Sequence, residues 1–368
     1  MKILMIASND PAGMAMRFTN AVNRYTEHRA RCLVFDRNYG NFEYDLCASE
    51  LDPDYGEVEA LLRESDVIHF HNLVDENWPI GPLVIRDYVR GKLLVYHEHG
   101  HPYFLANAPA MREKSRKAGH RVLVATPDLL KLWPGAAWLP NLVPIHDPAY
   151  LPRPESVTRD SGLGTRDSIR ICQAPTRKWH KNHREFLEVT DDLMRRHPNV
   201  ERVIVEKKPY AECLRIKRTC DVVFDHLQGH FGISSLESLC HGVPVVAGLD
   251  DWNIAKILEA TGAPDHPWVI ARDKPALARA LEALVADPAL RREIGAKSRA
   301  WMETHWPERR WVEKLIGFYE DSSESETQNP HLPTGEAAEL RGPRPESGIR
   351  TAGRREKGWV PSSGFTKS

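Results

Sequence analysis

The chain has 368 residues, 41% of them hydrophobic and 27% charged, with a formal net charge of −1. That length suits two domains with some excess. The charge balance excludes a global field steering the protein onto nucleic acid, so any anionic ligand needs a local site. The six cysteines, Cys32, Cys47, Cys172, Cys213, Cys220 and Cys240, form no C-x-x-C pair. They suit neither a disulfide framework nor a zinc cage and read as buried free thiols. The apolar start, Met1 to Ile6, lacks the hydrophobic region and cleavage site of a secretory signal. No stretch approaches the ~18 apolar residues of a membrane span. The expectation is a cytoplasmic protein, with room for peripheral membrane contact.

Short apolar runs alternate with helical patterns along the chain, the signature of parallel α/β units. Lys2 to Ala7 reads as a buried strand and Met14 to Glu27 as the helix after it. Cys32 to Phe35 is the next strand, Glu57 to Glu64 a helix, and Val67 to Phe70, Leu93 to Tyr96 and Val122 to Ala125 are further strands. These make a first Rossmann-like half over residues 1–150, on the acceptor side of a cleft. Residues 151–167, rich in Pro, Gly, Ser and charge, read as a linker.

A second half over residues 168–300 repeats the pattern. Ile169 to Cys172, Val203 to Val205, Val222 to Phe224 and Val243 to Ala247 are strands, and Arg184 to Arg196 is a helix. Leu277, Leu281 and Leu284 mark an amphipathic helix introduced by Asp273 and Pro275. Trp301, Trp306, Trp311 and Phe318 mark a C-terminal helical segment over 301–321. Residues 322–368 have few large apolar residues and read as a disordered tail. The fold class is α/β, with two tandem Rossmann-like domains facing a cleft. Ligands of such sheets bind beyond the carboxyl ends of the strands.

The segment Phe231 to Gly248 reads as a glycine turn, a short surface helix, a glycine stop and a strand. Gly232 permits close backbone approach. Ile233, Ser234 and Ser235 open the helix with free N–H groups and the positive dipole end, suited to a diphosphate. Glu237, one turn inside, would repel that diphosphate unless its oxygens receive hydrogen bonds from hydroxyls such as those of a ribose. After the strand Ile169 to Cys172, a loop carries Arg177, Lys178 and Lys181, cations suited to neutralising a diphosphate.

These two elements resemble the C-terminal signature of retaining glycosyltransferases of the family 4 type, which have the GT-B fold. The resemblance covers roughly residues 1–320. In it Glu237 matches the glutamate that binds the nucleotide ribose, and Lys181 the conserved loop lysine, with Asn182 in place of the usual Gly. The family's first motif glutamate, which contacts the donor sugar, falls on Gly229. Asp225-His226-Leu227 is similar to an Asp-Gln-Leu element found in a subset of the family, so Asp225 or His230 takes over that polar contact. The resemblance also implies that the loop bearing Gly13 faces the cleft and that His99 lies near the transferring sugar. Asp128 and Asn141 read as structural, Asp128 as a helix cap.

The histidines of Val67 to Asn72 and His97 to His101 invite a metal reading. Their H-x-H spacing lacks a matching Cys or Asp pair, and enzymes of the resembled fold work without a bound metal. The expectation is no metal and no cofactor. The function implied is transfer of a sugar, with retention, from a nucleotide-diphosphate sugar to a glycan, lipid-linked or small-molecule acceptor. The alternative is a non-catalytic sugar-nucleotide or glycan-binding protein, favoured by Gly229. A nicotinamide oxidoreductase is disfavoured because no G-x-G-x-x-G is present.

Overall fold

The computed structural model describes residues 1–52, 54–153, 168–176 and 178–321, apart from the side chains of Trp179 and His180. Arg177, nearly all of the expected linker and the expected tail lie outside the described residues.

In the first half, strands β1 (Lys2–Ala7), β2 (Arg29–Val34), β3 (Leu46–Cys47) and β4 (Val67–His71) alternate with helices α1 (Met14–Tyr25) and α2 (Gly56–Glu64). A small hairpin, β5 (Pro79–Ile80) and β6 (Leu83–Val84), precedes β7 (Leu93–Glu98), α3 (Pro102–Ala118), β8 (Arg121–Val124), α4 (Leu129–Leu132) and β9 (Ala137–Trp138). All but the hairpin form one parallel sheet in the order β3-β2-β1-β4-β7-β8-β9. Strand β2 starts at Arg29, earlier than its apolar run, because Lys2 of β1 pairs with Arg29. Register with a neighbour extends a strand through polar residues that pattern alone assigns to a turn.

The second half contains β10 (Ile169–Gln173), α5 (His183–Arg196), β11 (Val200–Ile204), α6 (Tyr210–Arg218), β12 (Val222–Phe224), α7 (Ile233–Cys240), β13 (Val245–Ala247), α8 (Asp251–Thr261), β14 (Val269–Ile270), α9 (Lys274–Ala286), α10 (Pro288–His305) and α11 (Glu308–Glu320). Its parallel sheet runs β11-β10-β12-β13-β14. β11 is the half-exposed edge, which is why Glu201 and Arg202 sit inside it and hid its start. The strand order reverses between β10 and β12, so their following loops flank the position where ligands of such sheets bind.

Helix α11 does not stay with the second half. It packs on α1 and the first sheet: Tyr319 reaches His69, and Arg121 donates to the carbonyl of Asp321 at 2.8 Å. Trp138 of β9 packs against Trp306 and Trp311 at 6.3 and 6.0 Å between ring centroids. That aromatic column continues through Trp301 and Trp268 to Phe231. Both halves belong to one compact unit. Among the described residues no helix is long and apolar enough to cross a membrane.

Candidate functional site

At the switch point of the second sheet, the loops after β10 and β12 are locked together. Asn182 takes a left-handed conformation, φ 49°, where the resembled family has glycine. Asparagine tolerates that region. Its Oδ1 accepts from the Leu227 amide at 2.9 Å and from Gln228 Nε2 at 3.1 Å, so the replacement keeps the backbone path and adds a bridge.

Asp225 directly follows β12 and is buried. Its Oδ2 accepts from the Gly232 amide at 2.6 Å and the Ser235 hydroxyl at 2.7 Å, and its Oδ1 pairs with Lys181 Nζ at 2.6 Å. Burial opposes its charge, but His226 and Lys181 outweigh it and hold the carboxyl far below the ordinary range. Asp225 therefore anchors the start of α7 and draws Lys181 beside it. A Cβ on Gly232 would stand 2.7 Å from Lys181 Nζ. The close approach that Gly232 permits is thus that of the protein's own lysine. Ile233 and Ser234 remain half-exposed at the helix start, while Ser235 is buried and its amide, expected to be free, donates to the Gly232 carbonyl at 3.0 Å because the first turn closes on itself.

Helix α7 is not a surface helix. Its residues Ser235 to Cys240 are buried, because β13 and α10 cover it. Glu237 is 2% exposed. Its Oε2 forms an ion pair with Lys217 of α6; its Oε1 accepts from Tyr210 and pairs with Arg17 Nη2 of α1 at 3.3 Å. Burial raises the Glu237 carboxyl, but Lys217 and Arg17 prevail and keep it ionised. Burial likewise opposes the Lys217 charge and Glu237 restores it. The cluster joins two cations to one carboxylate and spans the two halves. Lys217 lies three residues after Leu214, on the buried side of α6; that i, i+3 spacing is the sequence signal that could have placed it inside.

Gly229, where the resembled motif has glutamate, has φ +83°, a conformation that side chains disfavour. Its carbonyl accepts from the Asp250 amide at 2.7 Å, and a Cβ there would lie 3.5 Å from Asp250 Oδ2. Asp250 in turn pairs with Lys131 of the first half at 3.2 Å. His230, partly exposed, faces Asp128 across the cleft at 4.0 Å. Asp128 was expected to cap the following helix, but its side chain makes no capping bond. Lys178 is exposed and paired with Glu206 at 2.8 Å.

In the first half, Gly13 precedes α1 with φ +67°, and a Cβ there would stand 2.9 Å from the Phe42 ring. The α1 start is already capped by Asp10, which accepts from the Met14 and Met16 amides at 2.7 and 3.1 Å. A cavity of about 400 Å³ borders Gly13, Arg17, Phe42, Tyr150, Tyr210 and Arg215. It lies beside the Arg17–Glu237 contact and does not reach the start of α7.

His99 follows β7 directly and is half-exposed. Its Nε2 meets His71 Nδ1 at 3.0 Å and its Nδ1 meets Asn141 Oδ1 at 3.2 Å. Burial pushes it down to about 4, against the Asn141 bond, so the ring is neutral at pH 7. The histidines set aside as ligands converge: one nitrogen of each of His69, His71 and His97 lies within 4.8 Å of the other two. Beside them on the same strand, burial lifts the Glu98 carboxyl to about 7.

This two-sheet architecture is that of the GT-B glycosyltransferases. Sucrose-phosphate synthase from Thermosynechococcus elongatus has a similar structure, with 15% identity over 87% of this chain and 98% of that one and a TM-score of 0.57. Anabaena HepE, solved with UDP-glucose, has 15% identity over 86% and 98% and a TM-score of 0.59. WaaG, a glycosyltransferase involved in lipopolysaccharide biosynthesis, has 12% identity over 87% and 100% and a TM-score of 0.52. Identity at this level shows the fold alone. No protein-family profile and no curated protein matches the sequence.

Proposed function

We propose that the chain transfers a sugar from a nucleotide-diphosphate sugar to a glycan, lipid-linked or small-molecule acceptor, with retention and without a metal in the transfer step. The observation that carries this reading is the Asp225–Lys181 anchor at the start of α7, which sets a cation beside helix amides at the sheet's switch point. Lysine has three donors, so Lys181 keeps Asp225 and still meets a diphosphate oxygen. Amides and cation together stabilise charge that grows on the leaving diphosphate, the largest catalytic contribution in most such sites.

Glu237 is the ribose acceptor in this reading. Its access requires Tyr210 and Arg17 to withdraw: Arg17 rides on the first half and leaves as the halves separate, while Tyr210, on α6 of the same half as Glu237, exchanges its hydrogen bond for one from the ribose. Reclosure then excludes water from the donor. Asp250, beside Gly229, supplies a carboxylate where the resembled motif's first glutamate is absent. Asp225 holds the helix start, His230 lines the cleft, and His99 positions the sugar or acceptor through its exposed edge.

A non-catalytic sugar-nucleotide-binding protein is the second reading, and Gly229 favours it. Thermal shift against nucleotides and nucleotide sugars, followed by assays for donor hydrolysis and transfer, separates the two. A ligand at a hundred times its dissociation constant adds about 2.7 kcal/mol of stability. Binding with turnover supports the transferase, binding without hydrolysis or transfer supports the second reading, and no nucleotide binding defeats both.

A further inference from the structure

Strands β4 and β7 are parallel neighbours, with His71 opposite His97. Side chains alternate along a strand, so His69, His71, His97 and His99 emerge on one face of the sheet. Their rings lie 4.3–5.5 Å apart between centroids, from His97–His99 to His71–His97. Phe18 of α1 roofs them and Tyr319 of α11 closes one side. His69, His71 and His97 are 0–1% exposed.

The hydrogen bonding is one-sided. His69 uses Nδ1 for Tyr319 OH at 2.6 Å and His71 uses Nδ1 for His99 at 3.0 Å. The Nε2 atoms of both are buried without a partner. His97 has at most one weak contact of its ring with the Leu139 backbone, outside ordinary hydrogen-bond geometry, which leaves its other nitrogen without a partner. The tautomers follow from the outer end. Asn141 Oδ1 accepts, so His99 Nδ1 carries a proton and its Nε2 accepts from His71 Nδ1–H. That leaves His71 Nε2 as a bare lone pair facing inward. Buried polar atoms without partners are uncommon and cost about 1–3 kcal/mol each.

We propose that His69, His71 and His97 form a binding site for a divalent ion of the zinc class, buried in the first half beneath α1 and α11. Three imidazoles suit zinc, and the bonds from Tyr319 and the His99–Asn141 pair are the outer contacts that orient metal-bound histidines. Zinc–nitrogen bonds of about 2.0–2.1 Å bring ligand nitrogens to roughly 3.4 Å of one another, which small ring rotations achieve from the present spacing. Three imidazoles leave a fourth position on the ion for a solvent ligand. The ion organises the sheet under α11 and takes no part in the chemistry at α7, so the proposal stands independently of the transferase reading.

The test uses the full chain, purified without a metal-affinity tag, stripped, and titrated with CoCl₂ as a spectroscopic probe and ZnCl₂ in thermal melts. One equivalent of cobalt with the visible absorption of tetrahedral geometry, imidazole ligation by X-ray absorption, and a zinc-raised melting temperature are expected. Tyr319→Phe should weaken affinity about 10–100-fold, and His97→Gln should weaken it further. Absence of bound cobalt, an octahedral water-rich spectrum, or equal affinity in a folded His97→Gln protein would overturn the proposal. If His97→Gln does not fold, the wild-type spectra decide alone.

Discussion

Lys217 and Glu237 form an ion pair between α6 and α7 in which both residues are almost fully buried, at 1% and 2% exposure. Removing one partner of such a pair strands the other charge and costs about 3–5 kcal/mol. Glu237→Ala should therefore lower stability by that order, where a surface helix would have tolerated it. Glu237→Gln should cost less, and Glu237→Gln combined with Lys217→Met should recover most of the loss. Denaturant melts of the four proteins test this; a single Ala variant as stable as wild type would remove the pair from the core.

Nucleotide binding reads the same residue differently. Charge-assisted hydrogen bonds contribute about 1.5–3 kcal/mol each, so a folded Glu237→Gln protein should bind nucleotide about tenfold more weakly. Calorimetry under conditions where melts show the native state measures it. Unchanged affinity would take the ribose role from Glu237.

Gly232→Ala presses on the Asp225–Lys181 anchor. The backbone at Gly232, φ −100°, accepts alanine, but the added Cβ stands 2.7 Å from Lys181 Nζ and 3.1 and 3.3 Å from the Asp225 carboxylate oxygens. The flexible lysine end should yield, leaving the melting temperature within a few degrees and weakening diphosphate-containing ligands more than the free nucleoside. Equal weakening of nucleoside and nucleoside diphosphate would show that Lys181 does not face the diphosphate.

Transfer should not depend on added Mg²⁺ or Mn²⁺ under the proposal that Lys181 and the α7 amides supply the neutralising charge. Assays with each ion and with brief chelation measure this. Activity restored only by one of these ions would shift the neutralisation to metal.

Acid should destabilise the stripped protein through its histidines. Burial, the largest cause, holds His69, His71 and His97 well below the ordinary value of 6.5. Below pH 6.5 the unfolded chain binds protons that the native state does not, so stability is full above that pH and falls as pH drops. The slope reaches about 1.4 kcal/mol per pH unit for each such ring. His97→Gln should have a shallower acid limb. Equal limbs would mean that His97 protonates as readily in the native state as in the unfolded one.

The longer inner strands of both halves were legible because parallel strands covered on both faces read as apolar runs, whereas the two-residue strands β3, β5, β6, β9 and β14 are too short to make one. The start of α7 was legible because Gly232 and the residues after it carry turn and helix signals in order. The helices α3 and α6 were not, since polar and charged residues outnumber the large apolar ones along them and their helical faces are defined by packing partners far along the chain. The same distance hid the occupants of Glu237: Arg17 is 220 residues away, and no local pattern marks an arginine that crosses between halves. The histidines were visible as residues but not as a group, because only the register of β4 on β7 aligns them.

The return of α11 to the first sheet separates the order of synthesis from the order of completion. Residues 1–150 emerge first, yet Trp138 and His69 find their neighbours Trp311 and Tyr319 only when the last described helix has been made. A fragment ending at residue 150 should expose that apolar face and aggregate, and co-expression with a piece carrying α11 should rescue it. The nascent first half thus spends most of its translation with an uncovered flank, a window in which a chaperone has a defined surface to hold.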